Sequence, residues 1–231
     1  MIKLNEINYV RGVDLMEYIV ESFQAYLILL PCLVIFEILL CIYYTKDKQS
    51  KKHIHVPISF IIGWQFFACF MIMILYITSP ANIKDFMDFG AMKVGNFNLT
   101  IYDFLGSVDQ RLNILLFIPL GFLLPSLWKQ KYSLIQTLCT GFLLSLTIEL
   151  LQMFNFRASD INDLFANTVG TLCGYIIYWI VMRRCEMFKI KTNKMKGIYH
   201  LQPFLNVFGI VTFYFFLGVP ILDFVFHILN P

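Results

Sequence analysis

Charge is scarce in this sequence. Only 14% of its 231 residues are Asp, Glu, Lys or Arg, against about a quarter in an ordinary soluble domain. So few polar groups cannot cover a chain that is 58% hydrophobic, which excludes a single water-soluble globule. Lipid tails solvate apolar side chains and remove the problem. A net charge of +3 is no signature of a nucleic-acid partner, and none is expected. There is no glycine-rich phosphate loop, hence no sign of ATP use. No serine–histidine set argues for nucleophilic catalysis. Three of the four histidines, His53, His55 and His200, lie in basic segments, and His227 lies near a membrane edge. His53-x-His55 is too little for a metal site, so neither metal nor cofactor is expected. The six cysteines are Cys32, Cys41, Cys69, Cys139, Cys173 and Cys185; none forms a C-x-x-C pair, and five lie inside hydrophobic runs. That pattern reads as small apolar packing residues rather than a disulfide framework. Met1 to Glu21 sets Lys3 and Arg11 against Glu6, Asp14, Glu17 and Glu21, without the basic start and short apolar core of a signal peptide.

What is present is a series of long apolar runs. Six approach the roughly 20 residues needed to cross a bilayer. They run from about Ser22 to Tyr44, Val56 to Thr78, Leu112 to Trp128, Ser133 to Phe154, Asp160 to Met182 and Phe204 to Leu229. The expected fold is all-α, a polytopic transmembrane helical bundle of about six spans. The chain divides into 1–78 (two spans), 79–182 (a three-span core) and 183–231 (a basic loop and a last span). Loops 45–55, 129–132 and 183–203 hold twelve of the 18 basic residues and fall on one side. Basic loops stay in the cytoplasm, so both termini are expected to face outward. The segment from Ser79 to Gln110 mixes acids with aromatics, and reads either as an interfacial segment or as a plain connection.

The chemistry gathers between Asp109 and Gly174. An ionisable group inside a span costs about 2.5–3.5 kcal/mol on insertion scales and tends to face protein or water. Glu149 and Gln152 are three apart near the outward end of the fourth span, roughly 60° apart on one helix face. Asp160, Asp163, Asn167, Gly170 and Gly174 are spaced 3, 4, 3 and 4 apart, within an arc of about 80°. The fifth span thus has a polar face that continues inward as a small-residue stripe, where helices approach closely. Ser159 or Asp160 is placed to cap it. The third span adds Arg111 and Asn113, and Arg157 sits in the turn between the fourth and fifth. The expected site is an outward-facing pocket with carboxylates from Glu149, Asp160 and Asp163. Arg111 and Arg157 would balance them, and Asn113, Gln152 and Asn167 would add amides.

These residues carry a resemblance to the VanZ-like family. Asn113 to Gly121 looks like that family's N-x-x-x-F-x-P-x-G segment, and Glu149 to Gln152 like its E-x-x-Q segment. Arg157 to Gly170 is similar to its R-x-x-D-x-x-D-x-x-x-N-x-x-G segment. Order and spacing agree over about Asp109 to Met182. The resemblance implies a protein of the bacterial cell membrane and envelope. Its namesake is associated with resistance to the glycopeptide teicoplanin. Three functional readings stand open. One is recognition of a lipid-linked cell-wall precursor or a lipoglycopeptide, through hydrogen bonds and Arg–phosphate contacts. A second is a carboxylate-dependent membrane enzyme, with Glu149, Asp160 and Asp163 as catalytic candidates and a divalent cation as a variant. The third is a small transporter, with Glu37 and Asp223 joining the path. Beside them stands a structural reading, in which Asp160, Asp163 and Arg157 pair to lock two helix ends.

Overall fold

A computed structural model describes residues 2–45, 58–88, 97–98, 107–128, 133–155, 159–184 and 202–229. The elements are α1 (Ile2–Thr45), α2 (Ile58–Thr78), a short α3 (Ile83–Asp88), β1 (Phe97–Asn98), α4 (Val108–Leu127), α5 (Leu134–Gln152), a 3-10 turn (Met153–Asn155), β2 (Ser159–Asp160) and α6 (Ile161–Arg184). The last crossing is α7 (Gln202–Phe213), a π-helical turn (Tyr214–Gly218) and α8 (Val219–Leu229). Six helical segments are long and apolar enough to cross a membrane, among them Ile19–Leu40 of α1 and the composite Pro203–Ile228. The fold is all-α. Its only sheet among the described residues is a two-residue parallel pairing of β1 with β2.

Local chemistry sets the helix ends. Ser107 caps α4 by accepting the Gln110 N–H at 3.1 Å, so that crossing starts at Val108 rather than at Leu112. Hydropathy alone misses this first turn because it carries Asp109, Gln110 and Arg111, which a helix end near water tolerates. Ser133 and Gln136 cap α5 reciprocally, at 2.9 Å and 3.4 Å, as a Ser-x-x-Gln sequence predicts. α2 stops where Ser79 turns to φ 47°, and Pro80 follows. The π turn lies just before Pro220. Proline has no N–H and its ring clashes with the preceding turn; the wider turn, closed by Val219 N–H to the Tyr214 carbonyl, accommodates it.

α2 is the central helix, packed against α1, α4 and α7. Trp64, Phe67, Met71 and Leu75 are fully enclosed, against Leu29 and Leu33 of α1 and Phe117 and Leu124 of α4. Trp128 stands edge-on to Phe60 and Phe67, with ring centroids at 6.0 and 5.5 Å. The outward faces carry Ile35, Ile62, Phe66, Ile176 and Leu217, an apolar surface that only lipid makes comfortable.

α4 and α6 run parallel and touch through their backbones. A side chain on Gly170 would strike the Ile114 carbonyl, one on Gly174 the Ile118 carbonyl, and one on Gly121 the Thr171 carbonyl. Gly141 of α5 lies under the Thr171 side chain. The stripe Gly170-x-x-x-Gly174 therefore works as close-approach residues do between membrane helices. A methyl group at Gly174 has rigid backbone to displace, and overpacking of this kind costs about 1–3 kcal/mol. At Gly209 of α7 it would meet only the rim of the Phe36 ring, which can shift. Gly174→Ala is expected to lower the unfolding midpoint of detergent-purified protein clearly more than Gly209→Ala does. Equal midpoints in a thermal melt would contradict backbone contact along α4 and α6.

Candidate functional site

α5 and α6 run antiparallel, and three levels of contact cross between them. At the rim, the Asp160 backbone N–H donates to Glu149 Oε2 at 3.0 Å. Four residues further in, or about 6 Å along the axis, Asn167 Nδ2 donates to Ser145 Oγ at 2.9 Å. One turn deeper Thr171 packs on Gly141, and its hydroxyl donates to the Asn167 carbonyl at 2.9 Å. The two polar levels are thus stacked at one end of the bundle, above a seal of small residues.

Glu149 is buried, 7% exposed. Its carboxylate accepts an N–H at the start of α6, where helices have donors to spare, and ties α6 to the last turn of α5. Asp160 is half-buried. Its Oδ1 accepts the Asn162 N–H at 2.9 Å and the Asn162 side-chain amide at 2.7 Å. It is therefore Asp160 that caps α6. The β1–β2 pairing aligns Asn98 with Asp160, so Phe97 and Asn98 lie beside the same rim.

Gln152 has a different task from the one its position on the Glu149 face suggests. Its Nε2 donates to the Thr78 carbonyl at 2.6 Å. That carbonyl belongs to the last turn of α2, where intrahelical donors have run out. The amide thus closes one helix end with a side chain from another, 74 residues away, and fixes α2 to α5.

The remaining sequence-predicted residues are placed as follows. Asn113 is half-buried on α4, one residue before Ile114 meets Gly170. Arg111 is exposed and pairs with no carboxylate among the described residues. Asp163 is half-buried in the first turn of α6. Arg157 lies outside the described residues. Asn167 is 1% exposed, and its Oδ1 has no hydrogen-bond partner among the described residues. No group of three or more His, Cys, Asp or Glu able to hold a metal occurs among them.

Sequence reasoning missed Ser145, Asn162 and Thr78. Ser145 was within reach, since Ser145, Glu149 and Gln152 repeat at i, i+4 and i+7 on one face. Asn162 sits two after the cap. Thr78 carries no signal, because its part is played by a backbone carbonyl.

Six helical segments long and apolar enough to cross a membrane, with polar contacts joining the ends of α5 and α6, define a multi-pass membrane protein. The chain belongs to the VanZ/LLP1 family, whose model matches residues 64–183, from within α2 to the end of α6. Protein VanZ of Enterococcus faecium is 31% identical over 97 residues, covering 41% of this chain and 60% of that protein. The matched stretch thus spans less than two thirds of that relative. No solved structure matches the chain.

Replacing Glu149 by Leu leaves the Asp160 N–H without its acceptor, a loss of about 1–3 kcal/mol for a buried donor. Glu149→Gln keeps a carbonyl oxygen in place. The expected order of thermal midpoints is wild type, then Glu149→Gln, then Glu149→Leu. Glu149→Leu matching the wild type in a melt would show that this bond does not hold α6.

Proposed function

We propose that this chain is a bacterial cell-envelope protein whose polar rim faces outward and recognises a polar envelope molecule. That molecule is a lipid-linked cell-wall precursor or a lipoglycopeptide, and binding it contributes to glycopeptide (teicoplanin) resistance. The observation that carries the reading is the stacked polar interface at one end of an otherwise apolar bundle. Half-buried Asp160 and Asp163 stand at the rim; one level below, Asn167 Oδ1 has no partner among the described residues, and exposed Arg111 lies one turn before the contact of Ile114 with Gly170. Carboxylates and amide oxygens there accept hydrogen bonds from hydroxyl- and amine-rich ligands, and Arg111 supplies charge for a phosphate. The basic loops 45–55, 129–132 and 183–203 support an outward rim and outward termini. Membership of the family of Protein VanZ supports the envelope setting.

A second reading rests on the unequal settings of Glu149 and Asp160. One carboxyl is buried and the other half-buried, and acid–base pairs in enzymes are divided in this way. A carboxylate-dependent enzyme acting on a lipid-linked substrate would use Glu149, Asp160 and Asp163.

The test expresses the wild type and a Glu149→Gln, Asp160→Asn double variant in a teicoplanin-susceptible bacterium, with membrane levels matched by immunoblot. The wild type is expected to raise the inhibitory concentration several-fold and the double variant to abolish the gain. Equal protection by both would overturn the reading, leaving these side chains a lock between helix ends. Mass spectrometry of purified protein with lipid-linked precursor separates the alternatives: an unchanged bound lipid supports recognition, and a converted product supports catalysis.

A further inference from the structure

A second polar cluster lies away from the rim, on the α1 side of α2. Tyr26 Oη donates to Gln65 Oε1 at 2.9 Å, and Gln65 Nε2 donates to Glu37 Oε2 at 3.1 Å. Glu37 is 7% exposed, and its second oxygen, Oε1, is buried with no hydrogen-bond partner among the described residues. It lies within the membrane-crossing segment Ile19–Leu40, and Gln65 lies within Ile58–Thr78.

Among the described residues, the titratable groups around Glu37 supply no balancing positive charge at hydrogen-bond distance. On α1 and α2 the titratable neighbours are Tyr26 and, beside it, Cys69. Glu21 is bonded by Tyr76 Oη at 3.2 Å, at the far end of the α1 crossing. From α7 come the Gly209 backbone against Phe36 and Asn206, which accepts the Trp64 Nε1–H at 2.7 Å. α8 contributes Asp223 and His227, both exposed. Among the described residues this carboxylate has one neutral donor and no counter-ion, and buried carboxylates in that setting are neutralised or bind an ion.

We infer that Glu37, Gln65 and Tyr26 form an intramembrane site for a small monovalent cation, a proton or Na⁺. A phenol, an amide and a carboxylate lie along one hydrogen-bonded chain, Tyr26–Gln65–Glu37; a flip of the Gln65 amide would turn its carbonyl from Tyr26 toward Glu37, and oxygen is the ligand type that alkali and alkaline-earth ions prefer over nitrogen or sulfur. The site goes beyond the reading of the α5–α6 rim and stands without it, since Tyr26 and Glu37 precede the family-matched stretch.

Dicyclohexylcarbodiimide, which partitions into bilayers, tests this on the full chain in membranes. A protonated carboxyl adds across one C=N bond of the reagent. The carboxyl oxygen bonds the central carbon, the proton moves to nitrogen, and the acyl group then migrates to nitrogen as a stable N-acylurea with no leaving group. Peptide mass spectrometry is expected to find the adduct on Glu37 and to lose it in Glu37→Gln. If the cation is a proton, labelling falls about tenfold or more between about pH 6 and pH 9, whatever the salt. If it is Na⁺, millimolar Na⁺ but not K⁺ slows labelling at fixed pH, and Gln65→Leu removes that protection. Leu39→Glu supplies a control, placing a carboxyl on the neighbouring exposed face. Labelling of Leu39→Glu at its new carboxyl with none at Glu37, or Glu37 labelling indifferent to both pH and Na⁺, would overturn the proposal.

Discussion

The approach of α6 to α4 at backbone distance is the constraint on which the rest of the molecule depends. Lipid gives apolar helices no reason to leave it for one another, so association rests on close van der Waals contact and on hydrogen bonds between helices. Gly121, Gly170 and Gly174 bring the α4 and α6 main chains together, and Gly141 lets α5 close over Thr171. With the axes this close, short side chains suffice to bridge them. The serine at 145 reaches Asn167 and the carboxylate of Glu149 reaches a main-chain amide. A larger residue on the seam would separate these pairs and leave buried polar groups without partners.

α2 carries the constraint to the other half of the bundle. One end of it is held by Gln152 from α5, and its middle is held by Gln65, which joins Tyr26 and Glu37 of α1. Trp64 anchors the same helix to Asn206 of α7. Each of these bonds runs between different crossings, and bonds of this kind are part of what holds membrane helices together. The molecule thus has two polar systems on opposite sides of α2. One lies at the ends of α5 and α6, and the other lies between the apolar segments Ile19–Leu40 and Ile58–Thr78.

The polar face of α6 was legible in the sequence, and its bonding was not. Residue spacing on one helix is a local property, so the shared face of Asp163, Asn167, Gly170 and Gly174 could be read directly. The start of α4 could not be read from hydropathy, because a polar first turn looks like a loop until Ser107 is seen to cap it. Gln152 shares a face with Glu149 and was grouped with it, yet its amide serves the end of α2. Arg111 was expected to balance the carboxylates and is exposed without an ion pair among the described residues. The cysteines, expected as apolar packing residues, divide among the described ones: Cys32, Cys69 and Cys173 are half-buried and Cys139 is exposed.

Taken alone, the sequence determined the membrane setting, the number of crossings, the helical class and the family. Each follows from composition or from spacing along one chain segment, where hydropathy and the helical repeat act locally. Only the tertiary structure decided which polar atoms meet. Asp160 and Glu149 are 11 residues apart, Glu37 and Gln65 28, and Thr78 and Gln152 74. Such pairings depend on how helix axes are placed by glycine contacts and core packing, and no periodicity within a single helix encodes them.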